Sequence, residues 1–132
     1  MIALPYLTLA SDEPYWVMRE TFLSAFDQED FAFREVLKID HAYLSDWFHT
    51  QDNAEFFFSI PTVNIVSGKT QFINGRHRTA VLLAHMEEIP IAFDMRHLNS
   101  DARRFVESIP KRPLSLSEPF FLPDLHICDS LP

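Results

Sequence analysis

Only two glycines occur in 132 residues, Gly68 and Gly75. Glycine is the residue that takes a left-handed or crowded backbone at little steric cost. The chain therefore concentrates that freedom in one short region, "NIVSGKTQFINGRHRTAVLLA", Asn64 to Ala84. Ser67-Gly68 reads as a tight hairpin turn between strands near Thr62 to Val66 and Thr70 to Ile73, both rich in β-branched and aromatic residues. Asn74-Gly75 ends the second strand, and a helix of about Arg76 to Met86 follows, with its apolar run from Ala80 to Ala84. Three basic-type side chains, Arg76, His77 and Arg78, come straight after the glycine, in the first helical turn.

That placement runs against electrostatics. The first turn of a helix carries unpaired N–H groups and the positive end of the dipole, so cations are disfavoured there and anions favoured. A phosphate-like ligand reverses the penalty. Backbone N–H groups and guanidinium forks converge on its oxygens, and a glycine lets the backbone approach closely. On this reading Asn74, Gly75, Arg76, His77, Arg78 and Thr79 form a phosphate or nucleotide site, with His77 the candidate acid, base or donor. The plainer alternative has the arginines pairing with some of the 19 carboxylates and His77 satisfied inside the core.

The rest of the chain bounds what surrounds that turn. Its length suits one domain, set here as 1–112 with a Pro-rich apolar segment, 113–132, packed on the domain or on a partner. Hydrophobic residues make up 47%, including 13 Phe, too many for a disordered chain. No apolar run approaches the roughly 20 residues of a membrane span. The N-terminus lacks the basic region of a signal peptide, so the expected location is cytoplasmic. A lone cysteine, Cys128, excludes an internal disulfide and a multi-cysteine structural zinc site, and nothing points to haem or flavin. The formal charge is −8, from 11 Lys and Arg against 19 Asp and Glu, which repels nucleic acid on average. Arg76 to Arg78 is the one dense basic patch, and Arg103, Arg104, Lys111 and Arg112 form a looser group.

Outside the turn, periodicity predicts an edge strand within Met1 to Leu9. It predicts a helix over Tyr15 to Phe26 capped by Ser11 or Asp12, another near Asp30 to Leu37, and a third over His41 to His49 capped by Asp40. "IPIAFDM", Ile89 to Met95, reads as a strand completing a right-handed βαβ crossover. Asn99 or Ser100 caps a helix of about Asp101 to Ser108. The fold class is α/β (α+β).

The segment "FINGRHRTAVLLAHMEEIPIAF" resembles the signature of the ParB/sulfiredoxin superfamily. There, a strand ends in a small-residue turn, followed by Gly-x-x-Arg or Gly-x-His-Arg, an alanine-rich helix, Ile-Pro and a strand. Gly75, Arg76, His77, Arg78, Ala80 and Ile89-Pro90 fall in place, and the Gly-Arg-His-Arg box is similar to that of plasmid fertility inhibition factors. The resemblance spans about Val63 to Met95, a quarter of the chain. It implies a small domain whose turn holds a nucleotide phosphate, with a nucleoside triphosphate and Mg2+ as cofactors. It also implies a role in plasmid or conjugation control, where ATPase and DNase activities have been ascribed to relatives.

Two departures narrow this. The reductase of the superfamily carries its catalytic cysteine where this chain has Arg76, which removes that activity. The partition proteins add nucleotide motifs and a DNA-binding helix-turn-helix for which this chain has no room. Metal-assisted hydrolysis calls for acids. Asp94 is the first candidate, with Asp40, Asp46 and Asp52 behind it. Weaker groupings are Asp46 with His49 and His41, the pair His126 and Cys128, and Asp94 with Arg96 and His97 as a structural ion pair. Asp27, Glu29 and Asp30 read as a solvated loop, and Phe56 to Phe58 as core. The competing functional class is a non-catalytic inhibitor, immunity or accessory protein that grips a basic partner through its acidic surface and aromatic tail.

Overall fold

A computed structural model of the chain describes residues 1–25, 42–50 and 55–129, Leu23 by its backbone alone. The helix expected near Asp30 to Leu37, its neighbours Asp27 and Asp40, and His41 and Asp52 lie outside the described residues. The architecture is mixed α and β. In chain order the elements are β1 (Ile2–Tyr6), β2 (Glu13–Met18), α1 (Arg19–Ala25), β3 (Ala42–Leu44), a 3-10 turn (Ser45–Trp47), β4 (Phe48–Thr50) and β5 (Phe56–Ser59). They continue with β6 (Thr62–Val66), β7 (Lys69–Asn74), α2 (Arg76–Leu83), β8 (Glu88–Phe93), α3 (Ser100–Ser108), β9 (Arg112–Pro113), β10 (Phe120–Phe121) and β11 (His126–Cys128).

Two main sheets share one apolar core. The larger has strand order β7-β6-β8-β2-β9 and the smaller β10-β1-β5-β4, while β11 pairs with β3. The chain crosses from the smaller to the larger at Ile60-Pro61, between β5 and β6. Strand β8 lies at the centre of the larger sheet, and Ile89 to Phe93 are all buried, as expected of a strand covered on both faces. Its Pro90 fits because the N–H groups of Ala92 and Asp94 point towards β6, bonding Pro61 O and Val63 O at 2.8 Å each. Alternation turns the nitrogen of residue 90 to the same side, where β6, paired only with Ala92 and Phe93, does not reach. No ladder bond is lost.

The hairpin forms as expected. Ser67 (φ 53°) and Gly68 (φ 75°) make a two-residue turn with positive φ at both positions, the geometry that follows the twist of the flanking strands. A register shift between Thr62 and Val63 leaves Ile73 as the extra residue in β7, a bulge immediately before the Asn74-Gly75 turn. Helix α3 also forms where expected. Asn99 Oδ1 accepts the N–H of Ala102 at 2.8 Å, and Lys111 Nζ donates to Val106 O at 2.7 Å near the other end.

Four expectations need correction. Tyr15, Trp16 and Val17 belong to a strand, not to a helix running from Tyr15 to Phe26, and the described helix is Arg19–Ala25, with Phe26 outside the described residues. Six antiparallel pairs to β8 outweigh the helical spacing of the apolar residues, and Tyr-Trp-Val suits a half-buried sheet. His41 to His49 is not a helix either. From Ala42 onward it is a strand, a 3-10 turn and a strand, with Tyr43 and Trp47 buried. Strand β1 is interior, flanked by β10 and β5. The parallel relation around α2 is also redistributed. Strand β8 pairs in parallel with β6, not with β7, which is antiparallel to β6 and is not hydrogen-bonded to β8.

The segment after Pro110 packs on the rest of the fold. It supplies β9, β10 and β11 to three different sheets, and Leu114, Phe120 and Leu122 are buried. The Tyr43 hydroxyl donates to Pro123 O at 2.7 Å, and burial beside Asp124 pushes that phenol far above its ordinary range.

Candidate functional site

Helix α2 starts at the Asn74-Gly75 turn and is buried along Arg78 to Leu83, so it is held on all sides and not by one apolar stripe. Full burial of Val81 and Leu82 contributes about 1.5–3 kcal/mol each. That burial anchors the turn. Gly75 caps the helix at φ 99°, a left-handed conformation, and contributes no side-chain cap. A Cβ on Gly75 would sit 2.7 Å from Pro61 Cα and 2.8 Å from Arg78 Nη2. Glycine is thus required twice, by the backbone angle and by the close approach of both the sheet crossover and a guanidinium.

Arg78 is the central side chain. It is 4% exposed, and its Nε and Nη2 have no hydrogen-bond partner. Burial pushes the guanidinium down to about 10, and Asp46 opposes part of that shift. Arg78 therefore stays cationic at neutral pH, desolvated and with donors unspent. A buried polar group in that state costs stability unless something meets it.

Arg78 lines a cleft of about 630 Å3 together with Asn74, Gly75, Arg76 and His77. This volume falls in the range of small-molecule sites. No acidic residue occupies the first turn of α2, so no side chain of the helix itself satisfies its dipole. Thr79 is placed differently. It is fully buried, outside the cleft lining, and its hydroxyl donates to Gly75 O at 2.8 Å.

Another part of the lining comes from the smaller sheet. Pairing sets Tyr6 opposite Ser59 and His49 opposite Phe57. Residues two apart on a strand share a face, so Tyr6, Ser59, Phe57 and His49 all project from one side. His49 Nε2 and Ser59 Oγ are 2.7 Å apart, and the Tyr6 ring packs against the His49 ring at 4.8 Å between centroids. Tyr6, His49 and Ser59 line the cleft, as do Thr8, Asp46 and Trp47. The 3-10 turn between β3 and β4 delivers Asp46. The aromatic run splits by the same alternation, with Phe58 fully buried and Phe48 stacked on Phe56 at 4.7 Å, 8° from parallel.

Asp94 belongs to another place. It ends β8 away from the cleft lining and is held by Arg96, whose Nε and Nη2 donate to its two oxygens at 3.0 and 3.1 Å. Those bonds hold the Asp94 carboxyl below its ordinary range despite burial. Asp12 sits close by, 4% exposed, with no partner for either oxygen; Thr62 adjoins it without meeting hydrogen-bond geometry. Burial, then the charge of Asp94, raises the Asp12 carboxyl. Asp46 and His49 do meet in one cleft. Among the described residues no three His, Cys, Asp or Glu side chains form a metal-binding group, and His126 and Cys128 lie on β11 beside β3. No described helix is long and apolar enough to cross a membrane.

Sequence reasoning did not find Tyr6, Thr8 or Ser59 as site residues. They carry no motif; strand register brings Tyr6 and Ser59 to the Gly75 turn, and Thr8 follows β1 there. No protein-family model, curated protein or solved structure matches the chain.

Proposed function

We propose that the protein binds a nucleotide or another phosphate-bearing ligand at the Gly75 turn, in the manner of a ParB/sulfiredoxin-like domain. The observation that carries this reading is Arg78, a buried cation with two unspent donors at a helix start, opening on a cleft. Phosphate oxygens would take the Arg78 and Arg76 guanidinium donors and the first-turn N–H groups, with Asn74 and His77 at the rim. Mg2+ would be held by the oxygens of a triphosphate, with Asp46 the acid in the cleft lining. Weak metal-assisted NTPase or nuclease activity, in the control of plasmid or DNA transfer, is the enzymatic extension of this reading.

The test is a thermal-shift series with inorganic phosphate, ATP, CTP and GTP, each with and without Mg2+. A ligand at ten times its Kd stabilises the fold by about 1.4 kcal/mol. Arg78→Met should erase that response while leaving a folded protein. No response to any of these anions, or an undiminished one in Arg78→Met, sinks the assignment.

The second reading is a non-catalytic binder of a basic partner. It is favoured by the formal charge of −8 and by Phe121 and Ile2, 75% and 55% exposed and directly opposite each other on β10 and β1. Silence in the anion series, with capture of a basic partner that is lost on Phe121→Ser, would establish it instead.

A further inference from the structure

We propose that Ser59 and His49 make this cleft a phosphoryl-transfer centre, with Ser59 the nucleophile, His49 its base and a phosphomonoester the substrate. The inference rests on the anion-site reading and adds the strand-borne part of the lining to it. Ser59 Oγ lies 2.7 Å from His49 Nε2, within the distance at which a base activates a hydroxyl. Both side chains line the same cleft as Arg78 and Arg76. The Tyr6 ring, 4.8 Å from the imidazole centroid, holds the plane of His49. Ser59 is itself 4% exposed, so its hydroxyl is a fixed group at the end of β5. A nucleophile, a base, an orienting ring and a cation for the developing charge thus occupy one site.

The chemistry balances without an added reactant other than water. With Nε2 unprotonated, His49 takes the Ser59 proton as Oγ bonds to phosphorus and the ester P–O bond breaks. His49 then gives that proton to the departing alkoxide. Water next attacks the phosphoserine, losing its proton to His49. The Oγ–P bond breaks, phosphate leaves and Ser59 recovers its proton.

The experiment uses the full chain with p-nitrophenyl phosphate in EDTA. It reads p-nitrophenol release, phosphate on the Ser59 peptide by mass spectrometry after an acid quench, and the thermal shift given by inorganic phosphate. Turnover and a labelled Ser59 are expected. Ser59→Ala should abolish both, and His49→Gln should slow release by about 10²–10⁴-fold. Both variants should keep the phosphate shift, which shows that fold and cradle are intact. A phosphate shift without turnover overturns the catalytic proposal alone, as does turnover that survives Ser59→Ala. Absence of both shift and turnover overturns the anion site, and this proposal with it.

Discussion

Arg78 and Arg96 place the same guanidinium in opposite settings. Arg96 is exposed and spends its Nε and one Nη on Asp94, two residues away. Arg78 is buried and leaves two nitrogens unspent. The first arrangement completes itself locally, and the second leaves donors unmet, which the proposed anion would complete. A fold that holds a desolvated cation in this way gives up stability at one point, a common feature of functional sites.

The largest effect in breaking this contrast belongs to Gly75. Gly75→Ala forces a side chain into a left-handed backbone and against Pro61, and should lose about 2–4 kcal/mol in urea unfolding together with the anion response. Gly68→Ala is the control. Its φ is 75° but nothing lies within 4 Å of the added carbon, so about 1–2 kcal/mol of strain alone is expected. Equal losses at the two positions would mean that the contact with Pro61 and Arg78 does not matter.

Arg78→Met comes next, with the opposite sign. Removing an unmet buried charge while keeping most of the volume should stabilise the ligand-free protein by about 1–3 kcal/mol. A drop in Tm would show that Arg78 is satisfied inside the fold and is structural. Asp12→Asn should also stabilise at pH 7, on the order of 1 kcal/mol. Asp12 has a raised folded pKa, so its ionised form is held at a cost above that value. The gain should shrink as pH falls towards the ordinary carboxylate range, where the proton is bound in folded and unfolded chains alike. A gain that does not change with pH would point to packing and not charge.

The smallest effect is expected at Arg96. Arg96→Ala removes an exposed, solvent-screened pair and should lower Tm only slightly. Asp94 has a depressed folded pKa, so the stability it contributes is present above its unfolded value and fades in acid. The wild type and Arg96→Ala should therefore converge as pH falls below about 4. A large loss at neutral pH would make this corner as sensitive as the Gly75 turn and remove the contrast.

The sequence by itself determined the local units. Ser67-Gly68, Asn74-Gly75 and the Asn99 cap each act through their own backbone and near neighbours, so the hairpin, the start of α2 and α3 were legible from short stretches. The basic box was legible for the same reason, since its oddity lies in three consecutive residues. Tertiary structure decided the rest. Trp16 and Val17 became strand because β8 lies beside them, a partner more than 70 residues away that no local period reveals. Tyr6, His49 and Ser59 meet because register pairs β1, β4 and β5, and a one-residue slip of any one strand would turn its member of the three to the other face. Asp94, the acid that the sequence puts first, pairs with Arg96, while Asp46 reaches the cleft on a 3-10 turn where local periodicity predicts a helix. One wall of the cleft is a continuous motif set by local backbone geometry. The other is assembled from three strands, and only long-range pairing brings it into being.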